Sequence, residues 1–237
     1  MVFMVENEEL QEIINAYNHL VKGIHQKATD NTEGRAYGGI IRAGKGKMLE
    51  SIAKILVKLA WKELGKKEDR LKILGTRILI PIQEDYIGKI EDKEVKEHIE
   101  KNIKNYVYPY KPDVLVAIDN KPVLEIECKT YTENAMFKRI LVDCTLLKEK
   151  HPNMKFILLQ LESQLGGDYS ELKNNSLGST STHTLLSHFD IDLNIITLLK
   201  GERKVDKPIH RKDYFKPLTK ESLRIAVKEI KEILSEF

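Results

Sequence analysis

The sequence predicts a mixed α/β fold, in which a mixed β-sheet is flanked by helices. Three observations carry that expectation. Two apolar runs, 113–119 and 122–129, are separated by a tight Asp-Asn-Lys turn, the mark of a β-hairpin. An amphipathic helical pattern at 133–150 then leads into another apolar run at 155–162, a strand–helix–strand crossover. A third pattern, 47–64, is helical and apolar around most of its circumference, which places it inside the core. A hairpin beside a crossover gives a mixed sheet with helices packed on it.

The remaining elements follow in chain order. Leu10, Ile13, Ile14, Tyr17, Leu20, Val21 and Ile24 recur at helical spacing, so 5–27 is a helix. Residues 29–47 are rich in glycine and polar side chains and read as a loop. The helix at 47–64 ends at Gly65, a common helix terminator. "RILIPI" at 77–82 reads as a short buried strand, and the charge alternation over 88–105 as a solvated helix. Residues 163–182 form a long polar segment of the kind that is functional or disordered. A strand at 192–199 and a helix at 219–237 complete the order, with Thr219 and Ser222 suited to an N-terminal cap.

Composition narrows the function classes. The chain has 237 residues, suiting one large domain, and 41% of them are hydrophobic, enough for a sizeable core. The net charge of +3 permits a nucleic-acid partner without demanding one. Cys128 and Cys144 lie in apolar stretches with no paired spacing, which argues for buried thiols rather than a disulfide framework or zinc site. The acidic start excludes a signal peptide, and no apolar run approaches a membrane span. The expectation is a cytoplasmic protein.

The hairpin carries the chemistry. Strand side chains alternate, so Leu124, Ile126 and Cys128 face one way while Glu125, Glu127 and Lys129 face the other. Asp113, at the start of the partner strand, comes near Glu127 or Lys129 according to register. Two adjacent carboxylates repel, and a hard divalent cation removes that cost. A neighbouring lysine can orient water and stabilise negative charge. The plainer alternative is an exposed hairpin face with a cross-strand salt bridge.

Pro112-Asp113, thirteen intervening residues, and Glu127-Cys128-Lys129 together resemble the signature of the PD-(D/E)XK nucleases, over roughly residues 47–162. The resemblance implies a restriction-endonuclease-like fold and assigns roles. Asp113, Glu127 and the backbone carbonyl of Cys128 would hold Mg2+, for which Mn2+ can substitute. Lys129 would assist the attacking water. Glu50, which also suits a surface pair with Lys54, would join the site from the preceding helix.

A bare nuclease core needs about half of this chain. The segments 1–46 and 163–237 would supply recognition and dimerisation elements within one domain, a layout that resembles a type II restriction endonuclease. That resemblance implies a homodimer cutting double-stranded DNA to leave 5′-phosphates in a prokaryotic restriction-modification system. Candidate DNA contacts are Arg35, Arg42, Lys45, Lys47, Lys138, Arg139, Ser181, His183, His210 and Arg211, each equally at home on ordinary surface. A repair or junction-resolving nuclease and a non-catalytic DNA-binding protein on the same fold are the alternatives.

Overall fold

The computed structural model describes the backbone of residues 2–30, 34–172 and 177–237, and the side chains of 8–23, 43–172 and 177–237. Its centre is a five-stranded mixed sheet built around the hairpin of β4 (Val114–Ile118) and β5 (Lys121–Thr132). Asp119 and Asn120 join them with φ of 50° and 65°. This left-handed pair is the geometry that two-residue hairpins favour and that Asn and Asp tolerate. Outside β4 lies antiparallel β1 (Leu71–Leu74). On the other side, β5 pairs in parallel with β6 (Lys155–Ser163), which pairs in parallel with β7 (Leu193–Thr197). A parallel pair needs a crossover, and α5 (Asn134–Lys150) supplies it between β5 and β6.

Each face of the sheet buries its own core. One carries α1 (Val2–Asp30), α2 (Gly34–Glu63) and α7 (Lys220–Ser235), whose Tyr17, Leu49, Leu56, Trp61 and Ile230 pack on Val116, Leu124, Ile126 and Leu159. The other carries α5, whose Phe137 and Leu141 pack with Leu115, Phe156 and Leu158. Burying each such side chain contributes about 1.5–3 kcal/mol. Thr219 caps α7 by accepting a hydrogen bond from the Ser222 amide.

A small antiparallel ribbon, β2 (Ile78–Pro81) with β3 (Val107–Tyr110), lies apart from the main sheet in pairing but shares the second core through Ile78, Ile80 and Tyr110. Between its strands run the short α3 (Glu84–Gly88) and α4 (Lys93–Lys101); in α4 only Ile99 is buried, as a solvated helix requires. The connection from β6 to β7 contains α6 (Thr180–Leu186), capped by Ser179. No helix among the described residues is long and apolar enough to cross a membrane.

Two expectations need correction. Residues 34–47 are not a loop, because α2 begins at Gly34 and runs unbroken into the core. Glycines weaken a helix by about 1 kcal/mol each, but propagation from an anchored segment costs far less than nucleation. "RILIPI" is buried only on alternate residues, Ile78 and Ile80, since it belongs to the ribbon.

Candidate active site

The hairpin register builds the site. Val114 pairs with Ile126, so continuing the antiparallel register sets Asp113 opposite Glu127. Asp113 Oδ2 accepts a hydrogen bond from the Cys128 amide at 2.9 Å. Leu124, Ile126 and Cys128 belong to the core beneath α2. Glu125, Glu127 and Lys129 point to the opposite side. There the Lys129 ammonium lies 3.6 Å from Asp113 Oδ2 and contacts Glu127 Oε1 directly. Two carboxylates from adjacent strands thus converge on one cation.

This is not an exposed hairpin face. Glu125 is 1% exposed and Glu127 9%. The Tyr110 hydroxyl, at the end of β3, reaches both, 3.3 Å from Glu125 Oε1 and 3.4 Å from Glu127 Oε2. Glu125 Oε2 is buried with no hydrogen-bond partner. Burial, and then the charges of Glu127 and Asp113, push the Glu125 carboxyl well above the ordinary glutamate value; the Tyr110 hydrogen bond pulls the other way. Burial also raises Glu127, against the attraction of Lys129. For Lys129, burial opposes the charge, yet Glu127 and Asp113 outweigh it and hold the ammonium above the ordinary lysine value. The Tyr110 phenol is pushed up by burial and by the two glutamates, so it remains a donor.

Glu50 lies on α2 in the cleft that Asp113 also lines. It forms no ion pair with Lys54 among the described residues, and its charge reaches Cys128. Among the described residues, no group of three or more His, Cys, Asp or Glu side chains closes on a single metal position. Asp113 and Glu127 are the two carboxylates that meet at the Lys129 ammonium.

The other sequence candidates are scattered. The side chains of Arg35 and Arg42 lie outside the described residues. Lys47, Lys138, Arg139, Ser181 and Arg211 are exposed. His183 is held by its own loop through Leu177 O, at 2.6 Å. His210 is half-buried. Lys45 lies within electrostatic reach of Glu162 and Arg203, and its burial lowers the ammonium's proton affinity. Glu162 itself pairs with Lys216 at 2.8 Å, and Arg203 stacks on Tyr131 while donating to Gln164 Oε1.

One residue at the site escaped sequence reasoning. Tyr110 gave one signal, an aromatic three residues ahead of Asp113 in "YVYPY". Gln160, whose place at the end of an apolar run reads as a candidate DNA contact, is instead interior. It is the register partner of Lys129, fully buried, and donates to Thr197 Oγ1 at 2.9 Å.

No protein-family model matches the chain. Among curated proteins, the Type II restriction enzyme DdeI of Desulfomicrobium norvegicum is 48% identical over 234 residues, covering 97% of this chain and 98% of the relative. Among solved structures, the native BbvCI A2B2 tetramer at low resolution aligns over 99% of this chain and 90% of that one, with 14% identity and a TM-score of 0.39. Identity of 48% along nearly the whole of both chains means that this chain belongs to the type II restriction enzymes, the sequence-specific DNA endonucleases of restriction systems.

Proposed function

We propose that the chain hydrolyses phosphodiesters of double-stranded DNA at a centre made by Asp113, Glu127 and Lys129, using Mg2+ and leaving 5′-phosphates. The observation that carries this reading is the convergence of the two carboxylates on one ammonium. The donor set suits a hard divalent cation, Mg2+ or Mn2+. Asp113 and Glu127 offer carboxylate oxygens, Cys128 offers a carbonyl, and their mutual repulsion calls for positive charge. When bound, the cation neutralises charge on the phosphoryl oxygens and makes water a better nucleophile.

The protein's own groups supply orientation and a fixed electrostatic field. Asp113 is held by the Cys128 amide, and Glu127 by burial and the Tyr110 hydroxyl. Lys129, an ammonium aimed at the same point, orients the attacking water and stabilises negative charge as the phosphorus becomes five-coordinate. Glu50 acts on the surrounding water network from α2. One such centre per chain and two bonds to cut favour a homodimer, acting in the cytoplasm of a prokaryote. The restriction enzyme of D. norvegicum favours this reading over a junction-resolving or non-catalytic one.

Asp113→Ala and Lys129→Ala test the assignment. Each should slow cleavage by about a thousand-fold or more, the equivalent of several kcal/mol of lost charge stabilisation. Sequence-specific DNA binding in EDTA should persist. Full cleavage activity in either variant overturns the assignment.

A further inference from the structure

A cleft of about 480 Å3 opens between α2 and β1, with Asp113 and Glu50 at its walls. Its other charged lining residues are three lysines, Lys54, Lys58 and Lys111. Glu50, Lys54 and Lys58 are each four residues apart on α2 and form one row along the helix. Each step advances about 6 Å, so the row spans about 12 Å. Lys111 enters from the segment that leads into Asp113.

None of the three lysines closes an ion pair or hydrogen bond among the described residues. Elsewhere on the same helix the molecule does pair its lysines, Lys62 with Glu9, and it matches Glu63 with Lys231. The three unpaired ammonium groups outnumber the two carboxylates that line the cleft, and a polyanion would take up the excess positive charge. The two lysines of the row stand about 6 Å apart, and a DNA strand carries one phosphate per about 3.4 Å of axis, so about two phosphates match them.

We propose that this cleft is the track for the backbone phosphates beside the cleaved bond, with Lys54 and Lys58 on one wall and Lys111 on the other. The inference rests on the DNA-cleaving reading of Asp113 and Glu127. The track neutralises phosphates and reads no base, so it adds affinity and register without sequence preference.

The test is the salt dependence of duplex binding in EDTA, where cutting does not interfere. Replacing each lysine by glutamine should lower the slope of log Kd against log salt by about 0.9. Between 50 and 200 mM salt, Lys54→Gln/Lys58→Gln/Lys111→Gln would then lose about forty-fold less affinity than the parent. Binding should weaken alike on cognate and unrelated duplexes, and arginine at the same positions should restore it. Single variants read the same slope, so a triple variant that fails to fold leaves the test intact. Gly75 gives a steric counterpart. It lines the cleft, and a Cβ there meets nothing within 4 Å. Gly75→Trp should fold normally and weaken DNA binding.

An unchanged salt slope in the lysine variants overturns the proposal. Asp113→Asn separates this outcome from failure of the site. If it still cuts while the lysine slopes fall, the catalytic assignment is wrong and the cleft stands as a DNA surface. If it is inactive while the slopes are unchanged, the assignment stands and the cleft proposal falls.

Discussion

Removing one hydroxyl should expose how much the buried carboxylates depend on it. In Tyr110→Phe the ring still fills its place in the second core, but Glu125 and Glu127 lose the group that reaches both. Glu125 is then left with no hydrogen bond on either oxygen, because Oε2 already has none. A hydrogen bond to a charged group contributes about 1.5–3 kcal/mol. The contacts of 3.3 and 3.4 Å are long, and one proton serves one acceptor at a time, so the whole loss falls within that range. For a chain of this size each kcal/mol moves the melting temperature by about 2–4 °C, which gives a fall of about 3–12 °C.

The fall should also depend on pH. The folded Glu125 carboxyl lies above its unfolded value, so the stability it contributes is present below the unfolded value of about 4.3. That stability is lost as pH rises through the folded value. The Tyr110 hydrogen bond is a contact that holds the folded value down. Without it the separation widens, so the deficit should be larger at about pH 9 than at about pH 5. Thermal melts of the metal-free protein in EDTA measure both quantities. A variant that melts within about 1 °C of the parent, or whose deficit shrinks as pH rises, would refute the reasoning.

Glu125→Gln removes the buried ionisable group, so its melting temperature should rise relative to the parent as pH climbs above about 4.3, and a parallel pH profile would contradict this. Thr219→Ala deletes the α7 cap and should cost about 1 kcal/mol, seen as a melting shift of about 2–4 °C with cleavage unaffected.

The parts of the fold that were legible in the sequence are those whose pattern and burial agree. The β4–β5 hairpin, α5, β6 and α7 each carry the period of their own element and present it to a core. β1 was hidden because four residues give too short a pattern, and β3 because Pro109 argues against a strand. The ribbon accommodates that proline by leaving β3 unpaired on one side. The start of α2 runs against its local preference: its glycines favour a loop, while Leu49, Ile52 and Leu56 anchor the helix farther along.

At the site, alternation alone separated Glu127 and Lys129 from Cys128. It could not reveal that Glu125 is buried, because α5 and Tyr110 of β3 together close over that face. Glu125 reads as exposed on a lone hairpin, but its neighbours Leu115 and Phe156 lie in the core under α5 and Tyr110 reaches its carboxyl.

The turn at Asp119 and Asn120 has a reach well beyond its two residues. It closes the hairpin at Ile118 and Lys121, and the register shift between Val116 and Ala117, which leaves Val123 as an extra residue in β5, brings the Asp113 carboxylate onto the Cys128 amide. A slip of one residue would turn Glu127 and Lys129 into the apolar core and present the Cys128 thiol to the cleft. A hairpin assembled out of phase would thus bury two charges and lose its carboxylate pair together. On the proposed assignment of Asp113, Glu127 and Lys129, a misregistered chain would thus be unstable before it could act as a defective nuclease.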